Sequence, residues 1–263
     1  MKFLVQQQPA YVYTGGKPFE AGKPCVVFIH GAANDHSVWT YQARYFAHHG
    51  WNALAVDLPG HGRSFGEARE TIAQLSDWIV NLLDNGAIER AALVGHSMGS
   101  LVALDAAARH ANRVSQVALL GCSVPMPVSD LLLDAARNRP AEAFDMLNIW
   151  GHAPQLKWGK NPTPGTSSMM AYKRLLEQSH PGALARDLAA CHVYQMDDAA
   201  LAAVKCPALL VTGSRDMMTP PKANAALAGR IAGIRVAALD GGHSMMQEAP
   251  GATLDALKGF LKP

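Results

Sequence analysis

A serine between two glycines offers a candidate nucleophile. The segment G-H-S-M-G at 95–99 follows an apolar run that is typical of a buried strand, and a helical pattern follows it. A G-x-S-x-G sequence in this context predicts a sharp turn from strand to helix that exposes the serine hydroxyl above a sheet. The amides at the start of such a helix favour negative charge that develops nearby. Ser97 is therefore the candidate nucleophile.

A serine hydroxyl becomes reactive only when a base removes its proton. Eleven histidines are present, and His243 stands out because it lies just after the last predicted strand. Asp216 directly follows another predicted strand and is the candidate for holding the imidazole in the required tautomer. The chain order Ser97, Asp216, His243 is the order that accompanies a G-x-S-x-G nucleophile. His96 adjoins the nucleophile in a tight turn, so we expect it to be structural.

Two backbone amides are candidates for stabilising an oxyanion. The segment H-G-A at 30–32 ends a predicted strand, and Met98 directly follows the candidate nucleophile. An oxyanion site needs two N–H donors that stay fixed during the reaction. The amides of Ala32 and Met98 would supply them. A plain glycine turn is the alternative interpretation of residues 30–32.

Several large apolar side chains are candidates for binding a substrate. Met217, Met218 and Met245 lie beside the candidate catalytic residues in the sequence, and thioethers form adaptable apolar walls. Trp39 and Trp150 are further candidates. The alternative for each methionine is a place in the core. Such a pocket predicts a small to medium, apolar substrate, and acyl transfer to a serine needs no metal or organic cofactor.

Strand-like and helix-like segments alternate along most of the chain. Two short runs near the N-terminus, at 2–6 and 11–14, predict antiparallel edge strands. Six apolar runs predict buried parallel strands, at 25–29, 53–56, 91–94, 117–120, 208–211 and 236–239. The pattern predicts an α/β fold whose mostly parallel, eight-stranded sheet is covered by helices on both faces.

The alternation stops between residues 125 and 198. Apolar residues recur there at helical spacing, and the segment contains no apolar run typical of a buried strand. About 70 residues are too many for an ordinary connection between a strand and the next element. We predict a helical lid at 125–198, inserted into a core formed by 1–124 and 199–263.

Composition and charge exclude several classes of function. The chain has 263 residues, a formal net charge of +2 and 17% charged residues, which offers no basic surface for nucleic acid. Its four cysteines lack the spacing of a metal site, so free thiols are expected. The N-terminal apolar run is too short for a signal peptide, and no segment reaches the ~18 apolar residues of a membrane span. We expect a soluble cytoplasmic protein that acts on a small molecule; the sequence leaves monomer and homodimer open.

Five motifs together resemble the α/β-hydrolase superfamily. They are H-G-A at 30–32, D-L-P-G-H-G-R-S at 57–64, G-H-S-M-G at 95–99, G-S-R-D-x-x-x-P at 213–220 and G-G-H-S at 241–244. The resemblance covers the core and implies a serine hydrolase of esterase or lactonase type that forms an acyl-enzyme. Members with an aspartate nucleophile are excluded because position 97 is serine. Fold does not settle function, so a C–C bond hydrolase or lyase with the same triad stays open, as does a ligand receptor that retains a slow triad.

Overall fold

An eight-stranded sheet forms the centre of the protein. The computed structural model describes residues 1–159, 161–162 and 165–263. The strands are β1 (Lys2–Val5), β2 (Gln8–Tyr13), β3 (Cys25–Ile29), β4 (Asn52–Val56), β5 (Ala91–His96), β6 (Val114–Leu120), β7 (Ala208–Gly213) and β8 (Arg235–Leu239). Their order across the sheet is β1-β2-β4-β3-β5-β6-β7-β8. β2 pairs antiparallel with β1 on one side and with β4 on the other, and all other pairs are parallel.

Helices cover both faces of this sheet. They are α1 (Thr40–His48), α2 (Ile72–Asn85), α3 (Met98–Arg109), α4 (Asp130–Asn138), α5 (Pro140–Trp150), α6 (Ser168–Glu177), α7 (Ala183–Val193), α8 (Asp198–Ala202), α9 (Pro221–Ala228), α10 (Met245–Glu248) and α11 (Pro250–Phe260). Short 3₁₀ helices cover His36–Trp39, Ala111–Arg113 and Pro154–Trp158. Helix α2 begins with a capping box, in which the side chains of Thr71 and Gln74 each accept from the other's backbone N–H.

The central strands are apolar along their whole length because both of their faces are buried. Every residue of β3, β4 and β5 is buried. On one face, Leu75 of α2 and Leu101 of α3 belong to the core, and on the other face Phe46 of α1 and Leu257 of α11 do. This layering requires continuous apolar strands rather than alternating ones, which is the pattern that the sequence shows.

The helices α4 to α7 lie between β6 and β7, within the predicted lid. They share an apolar cluster that includes Leu132, Leu147 and Leu184, and Ala33 from the loop after β3 also belongs to it. The described residues of 125–198 contain no strand. Residues 160, 163 and 164 of the predicted lid loop lie outside the described residues, and the lid's boundaries stay a prediction.

The α/β-hydrolase fold predicted from the sequence is confirmed. Two strands begin three residues earlier than predicted, β2 at Gln8 rather than residue 11 and β6 at Val114 rather than residue 117, and β4 and β8 begin one residue earlier. For β2 the reason is the turn before it, where Gln6 and Gln7 both have positive φ, 50° and 63°. Two residues in this conformation close a tight hairpin, but glutamines carry no sequence signal for it.

The cysteines and the helices add two further observations. All four cysteines are free, as expected from their spacing. Among the described residues, no helix combines the length and the apolar character needed to cross a membrane.

Candidate active site

Ser97 lies in a strained turn between β5 and α3. Its backbone has φ 52° and ψ −120°, which is unusual for a residue with a side chain. A Cβ at Gly95 would collide with the backbone of Gly99, and a Cβ at Gly99 would collide with the carbonyl of Ile29. The Ser97 N–H donates to the Leu120 carbonyl at 2.9 Å, which ties the turn to β6. The turn is therefore held by its neighbours, and its two glycines are a steric requirement.

His243 and Asp216 form a buried hydrogen-bonded pair. The distance between His243 Nδ1 and Asp216 Oδ2 is 2.8 Å, and the two side chains are 3% and 0% exposed. The Thr219 hydroxyl donates to the same carboxylate oxygen at 2.6 Å. The amides of Met218 and Thr219 donate to Oδ1, each at 2.8 Å. The loop after β7 thus fixes the carboxylate, and the carboxylate orients the imidazole.

These donors keep the Asp216 carboxyl ionised. Burial by itself raises its pKa, but the nearby His243 and the hydrogen bonds from His243 and Thr219 outweigh burial and hold the pKa below its ordinary value. A charged carboxylate is the state that orients a neutral imidazole and stabilises an imidazolium.

Gly121 packs against the imidazole, a contact that the sequence analysis missed. It follows β6 with φ +58°, and a Cβ at this position would lie 2.9 Å from His243 Cε1 and 3.0 Å from Nδ1. Real Cβ atoms do not approach other atoms so closely, so the site requires glycine here. The available signal was a glycine directly after a predicted strand, which alone does not identify its neighbour.

His96 supports His243 from the other side. Its Nε2–H donates to the His243 carbonyl at 2.9 Å, and the two ring centroids are 4.7 Å apart. Burial, together with the nearby His243, lowers the pKa of His96 to about 3. A neutral, buried ring that bonds to a backbone carbonyl agrees with the structural role expected for this residue.

Ser97 and His243 face one cavity. Both residues line it, with Thr219 beside them. The other imidazole nitrogen, His243 Nε2, is buried and has no hydrogen-bond partner within the described part of the chain. With Nδ1 donating to Asp216, Nε2 carries the free lone pair that can accept a proton. The structure therefore brings all three predicted triad residues to the same edge of the sheet, after β5, β7 and β8.

The two amides proposed as oxyanion donors lie on either side of the serine. Ala32 lines the cavity, and Met98 is the first residue of α3, so its N–H has no partner within the helix. In the described chain, neither amide donates a hydrogen bond to another protein group. A Cβ at Gly31 would lie 3.2 Å from the Ser97 Cβ. The loop after β3 therefore runs directly beside the serine.

The cavity has a volume of about 330 Å³ and a mostly apolar wall. Of the five side chains predicted to bind substrate, three line it: Trp150, Met217 and Met218. Helices α4 to α7 contribute further apolar residues, including Leu132, Leu147 and Leu188.

Trp39 and Met245 do not line this cavity, so the prediction that they bind substrate is wrong for both. Each is fully buried in the core cluster on the face of the sheet covered by α1 and α11. The Trp39 ring packs on Phe28, with centroids 5.3 Å apart. The short 3₁₀ helix before α1 directs the indole to the sheet, and α10 directs Met245 inward. The closeness of Met245 to the candidate residue His243 in the sequence did not predict the direction of its side chain.

One cluster of possible metal ligands occurs among the described residues, formed by Asp35, His36 and Asp57. Asp57 already accepts hydrogen bonds from the His36 amide at 2.7 Å, from His36 Nδ1 at 2.7 Å and from the Arg63 amide at 2.8 Å. Burial raises the pKa of Asp57, yet these bonds with His36 and Arg63 bring it below its ordinary value. The cluster organises the loop that contains residues 57–64.

Most of the chain matches one protein family. The model of the alpha/beta hydrolase family matches residues 26–256. The chain belongs to the alpha/beta hydrolase family. Several of its curated relatives are named as hydrolases, and others are named as an acetyltransferase component, a haloperoxidase or a synthase.

Two relatives and one solved structure illustrate the likeness. The chain is 24% identical over 242 residues to 3-oxoadipate enol-lactonase 1 of Acinetobacter baylyi, covering 91% of this chain and 89% of that protein. It is 29% identical over 220 residues to 2-hydroxy-6-oxononadienedioate/2-hydroxy-6-oxononatrienedioate hydrolase of Paraburkholderia phymatum, covering 76% and 73%. The enol-lactonase from Burkholderia xenovorans LB400 has a similar structure, with a TM-score of 0.87, 24% identity and coverage of 99% of both chains. At that identity the structure shows the fold alone.

Other curated relatives match over a shorter stretch. The alignment spans 26% of the dihydrolipoyllysine-residue acetyltransferase component of the acetoin cleaving system of Cupriavidus necator, at 39% identity, and 37% of epoxide hydrolase A of Mycobacterium tuberculosis, at 38% identity. Because the chain spans less than two thirds of the length of either protein, these relatives do not transfer an activity.

Proposed function

We propose that the protein is a serine hydrolase that cleaves a small to medium, apolar carboxylic ester or lactone through an acyl-enzyme. The observation that carries this proposal is the 2.8 Å bond between Asp216 and His243, with His243 and Ser97 lining one cavity. This is the constellation that activates a weak alcohol nucleophile.

The reaction begins when His243 Nε2 accepts the Ser97 hydroxyl proton while Oγ attacks the acyl carbon. The carbonyl oxygen becomes an oxyanion and accepts hydrogen bonds from the amides of Ala32 and Met98. His243 then gives its proton to the leaving alkoxide. A water molecule, deprotonated by the same imidazole, attacks the acyl-enzyme and releases the acid.

The wall of the cavity supports an uncharged substrate. Among the described residues that line it, none is Lys, Arg, Asp or Glu. Polar groups come from Asn34, Ser129 and Tyr172, and the remaining wall beyond the catalytic residues is mainly apolar. A volume near 330 Å³ suits a ligand of modest size.

A panel of acyl esters, lactones and thioesters, compared by kcat/KM for wild type and Ser97→Ala, tests this proposal. We expect turnover of neutral esters or lactones by the wild type and none above background by the folded variant. Retained turnover in Ser97→Ala would remove Ser97 as the nucleophile.

A C–C bond hydrolase with the same triad is the second candidate. It is favoured by the relative from Paraburkholderia phymatum, which is named as a dienedioate hydrolase and matches 76% of this chain. The uncharged cavity argues against a dicarboxylate substrate, since such a ligand would place a charge against an apolar wall. Faster turnover of a vinylogous diketone than of any ester in the panel would favour this candidate.

A further inference from the structure

Asp187 in α7 connects the lid helices to the loop beside Ser97. Its carboxylate Oδ2 accepts a hydrogen bond from the Ala33 amide at 2.8 Å and one from His61 Nε2 at 2.8 Å. The side chains of Asp187 and His61 are 1% and 0% exposed. Nothing in the sequence singles out this aspartate, because its partners are 126 and 154 residues away.

The partners of His61 require it to be an imidazolium. Its Nδ1 lies 3.1 Å from the Pro59 carbonyl oxygen, and its Nε2 faces the carboxylate. Both groups only accept, so both ring nitrogens must carry a proton. Burial lowers the pKa of His61, but the Asp187 carboxylate and the Pro59 carbonyl outweigh burial and raise it. His61 and Asp187 therefore form a buried ion pair.

The other charged and titratable groups around His61 agree with this charge state. The ring of His30 lies 5.0 Å from that of His61, and its Nε2 accepts from the Leu58 amide, so His30 is neutral. Asp57 contributes a further negative charge nearby. Asp57 therefore favours a cation at His61, and the neutral His30 ring leaves that charge in place.

The amide that Asp187 holds belongs to a strained residue next to an oxyanion donor. Ala33 has φ 54°, in the left-handed region that residues with a side chain rarely adopt. Its side chain packs in the apolar cluster of the lid helices. Such a conformation persists only where the surroundings enforce it. The amide held by Asp187 belongs to the Ala32–Ala33 peptide, and Ala32 itself lines the cavity.

We propose that Asp187, with His61 as its charged partner, is a positioning residue that fixes the Ala33 amide and thereby aims the Ala32 N–H at the acyl oxyanion. The inference rests on the proposed serine hydrolase function and deepens it. The lid then contributes to catalysis as well as to the wall of the cavity, because one of its helices holds the oxyanion loop in its active geometry.

The experiment compares Asp187→Asn with wild type on the best neutral ester of the panel. Asparagine keeps the shape and one acceptor oxygen but removes the negative charge that pairs with the His61 imidazolium, so the side chain is no longer held against the Ala33 amide. Loss of one oxyanion donor typically costs about 10²–10³-fold in kcat, so a misaimed donor should cost about 10–100-fold. KM should change less than about threefold, because ground-state contacts are untouched.

A trifluoromethyl ketone of matching shape gives the second measurement. It adds to Ser97 and forms an oxyanion, whereas the corresponding secondary alcohol binds without one. Asp187→Asn should weaken the ketone by about the same factor as kcat and leave the affinity for the alcohol unchanged. A role in folding alone would lower the unfolding temperature without this split.

Arg186→Ala is the matched control. Arg186 is the neighbouring residue in α7, and its pair with Glu67 is partly exposed, at 3.0 Å. The Arg186→Ala variant should keep the wild-type kcat and the wild-type affinity for the trifluoromethyl ketone. His61→Gln removes the charged partner and should reproduce the Asp187→Asn split, which provides an independent variant if either one folds poorly.

The outcomes separate the two proposals. Turnover by Ser97→Ala would overturn the proposed function itself. An inactive Ser97→Ala together with wild-type kcat and ketone affinity in Asp187→Asn and His61→Gln would overturn only the positioning role. Equal weakening of the ketone and the alcohol would also overturn it, since that pattern marks a general disturbance of the cavity.

Discussion

Ser97, His243 and Asp216 depend on a few close neighbours whose small size or hydrogen bonds leave no alternative arrangement. Gly95 and Gly99 permit the positive φ of Ser97, and Gly121 leaves room for the His243 ring. The first two follow from the G-x-S-x-G pattern. The third does not, because its partner lies 122 positions further along the chain.

Gly121→Ala should reduce activity through His243. Its Cβ would press on the imidazole, and the φ of +58° is strained for alanine. We expect kcat to fall about 10²-fold, as for a misplaced catalytic group, with a loss of about 1–3 kcal/mol in the free energy of unfolding. Steady-state kinetics and thermal unfolding measure both. Wild-type kcat would show that the ring moves freely and that the contact is unimportant.

Asp216→Asn should lower kcat about 10³–10⁴-fold, because the neutral amide no longer enforces the tautomer of His243.

The same variant tests how the free energy of unfolding depends on pH. The pKa of Asp216 is lowered in the folded protein, so its ionised form stabilises the fold above the unfolded value of about 3.9, and this contribution is lost as pH falls through the folded pKa.

The difference in unfolding free energy between wild type and Asp216→Asn should therefore shrink as the pH falls below about 4. Denaturant titrations at several pH values below about 5 measure it. A difference that grew on acidification within this range would contradict the lowered pKa.

The loops after the strands, and the helices that hold them, are the units that bring the site together. Sequence periodicity predicted the strands and most helices because continuous apolar runs have few alternatives in a layered fold. It did not predict which helix would contact which loop. Trp39 illustrates this, since a single 3₁₀ turn directs it to the core face of the sheet rather than to the cavity.

Glu248 in α10 links the loop that contains His243 to the segment that follows α5. Its Oε2 accepts from the amides of Gly242 and Ala153, each at 2.9 Å. Glu248→Ala would leave both amides without partners and should cost about 1–3 kcal/mol of unfolding free energy. We also expect a lower kcat from a looser His243. Glu248→Gln retains an acceptor oxygen and should behave like wild type in both measurements; equal losses in the two variants would show that the charge, and not the bridge, matters.

At the scale of the whole molecule, a common sheet supports the proposed catalytic residues, and the helical segment between β6 and β7 forms much of the cavity wall. The core could be predicted almost completely from five motifs at the ends of strands. The lid's helices were expected, but its contacts were not, because Asp187 and the apolar lining residues have meaning only relative to loops far away in sequence. Much of the wall of the cavity comes from this less predictable part.

The uncharged cavity predicts a preference for neutral substrates. An ester whose acyl chain ends in a carboxylate should have a kcat/KM at least about 10²-fold below that of its methyl-ended analogue, because burying an unpaired charge costs several kcal/mol. The ratio should stay constant in the Arg186→Ala control. Equal turnover of the two esters would show that the charge stays in solvent or finds a partner.

Trapping the acyl-enzyme tests the central claim most directly. Wild-type protein mixed with an activated neutral ester should release one equivalent of alcohol in a burst. Mass spectrometry after acid quenching should place the acyl group on Ser97. The burst and the adduct should both vanish in Ser97→Ala and slow strongly in His243→Ala. An acyl group on another residue, or steady hydrolysis with no burst in wild type and undiminished in Ser97→Ala, would contradict the account.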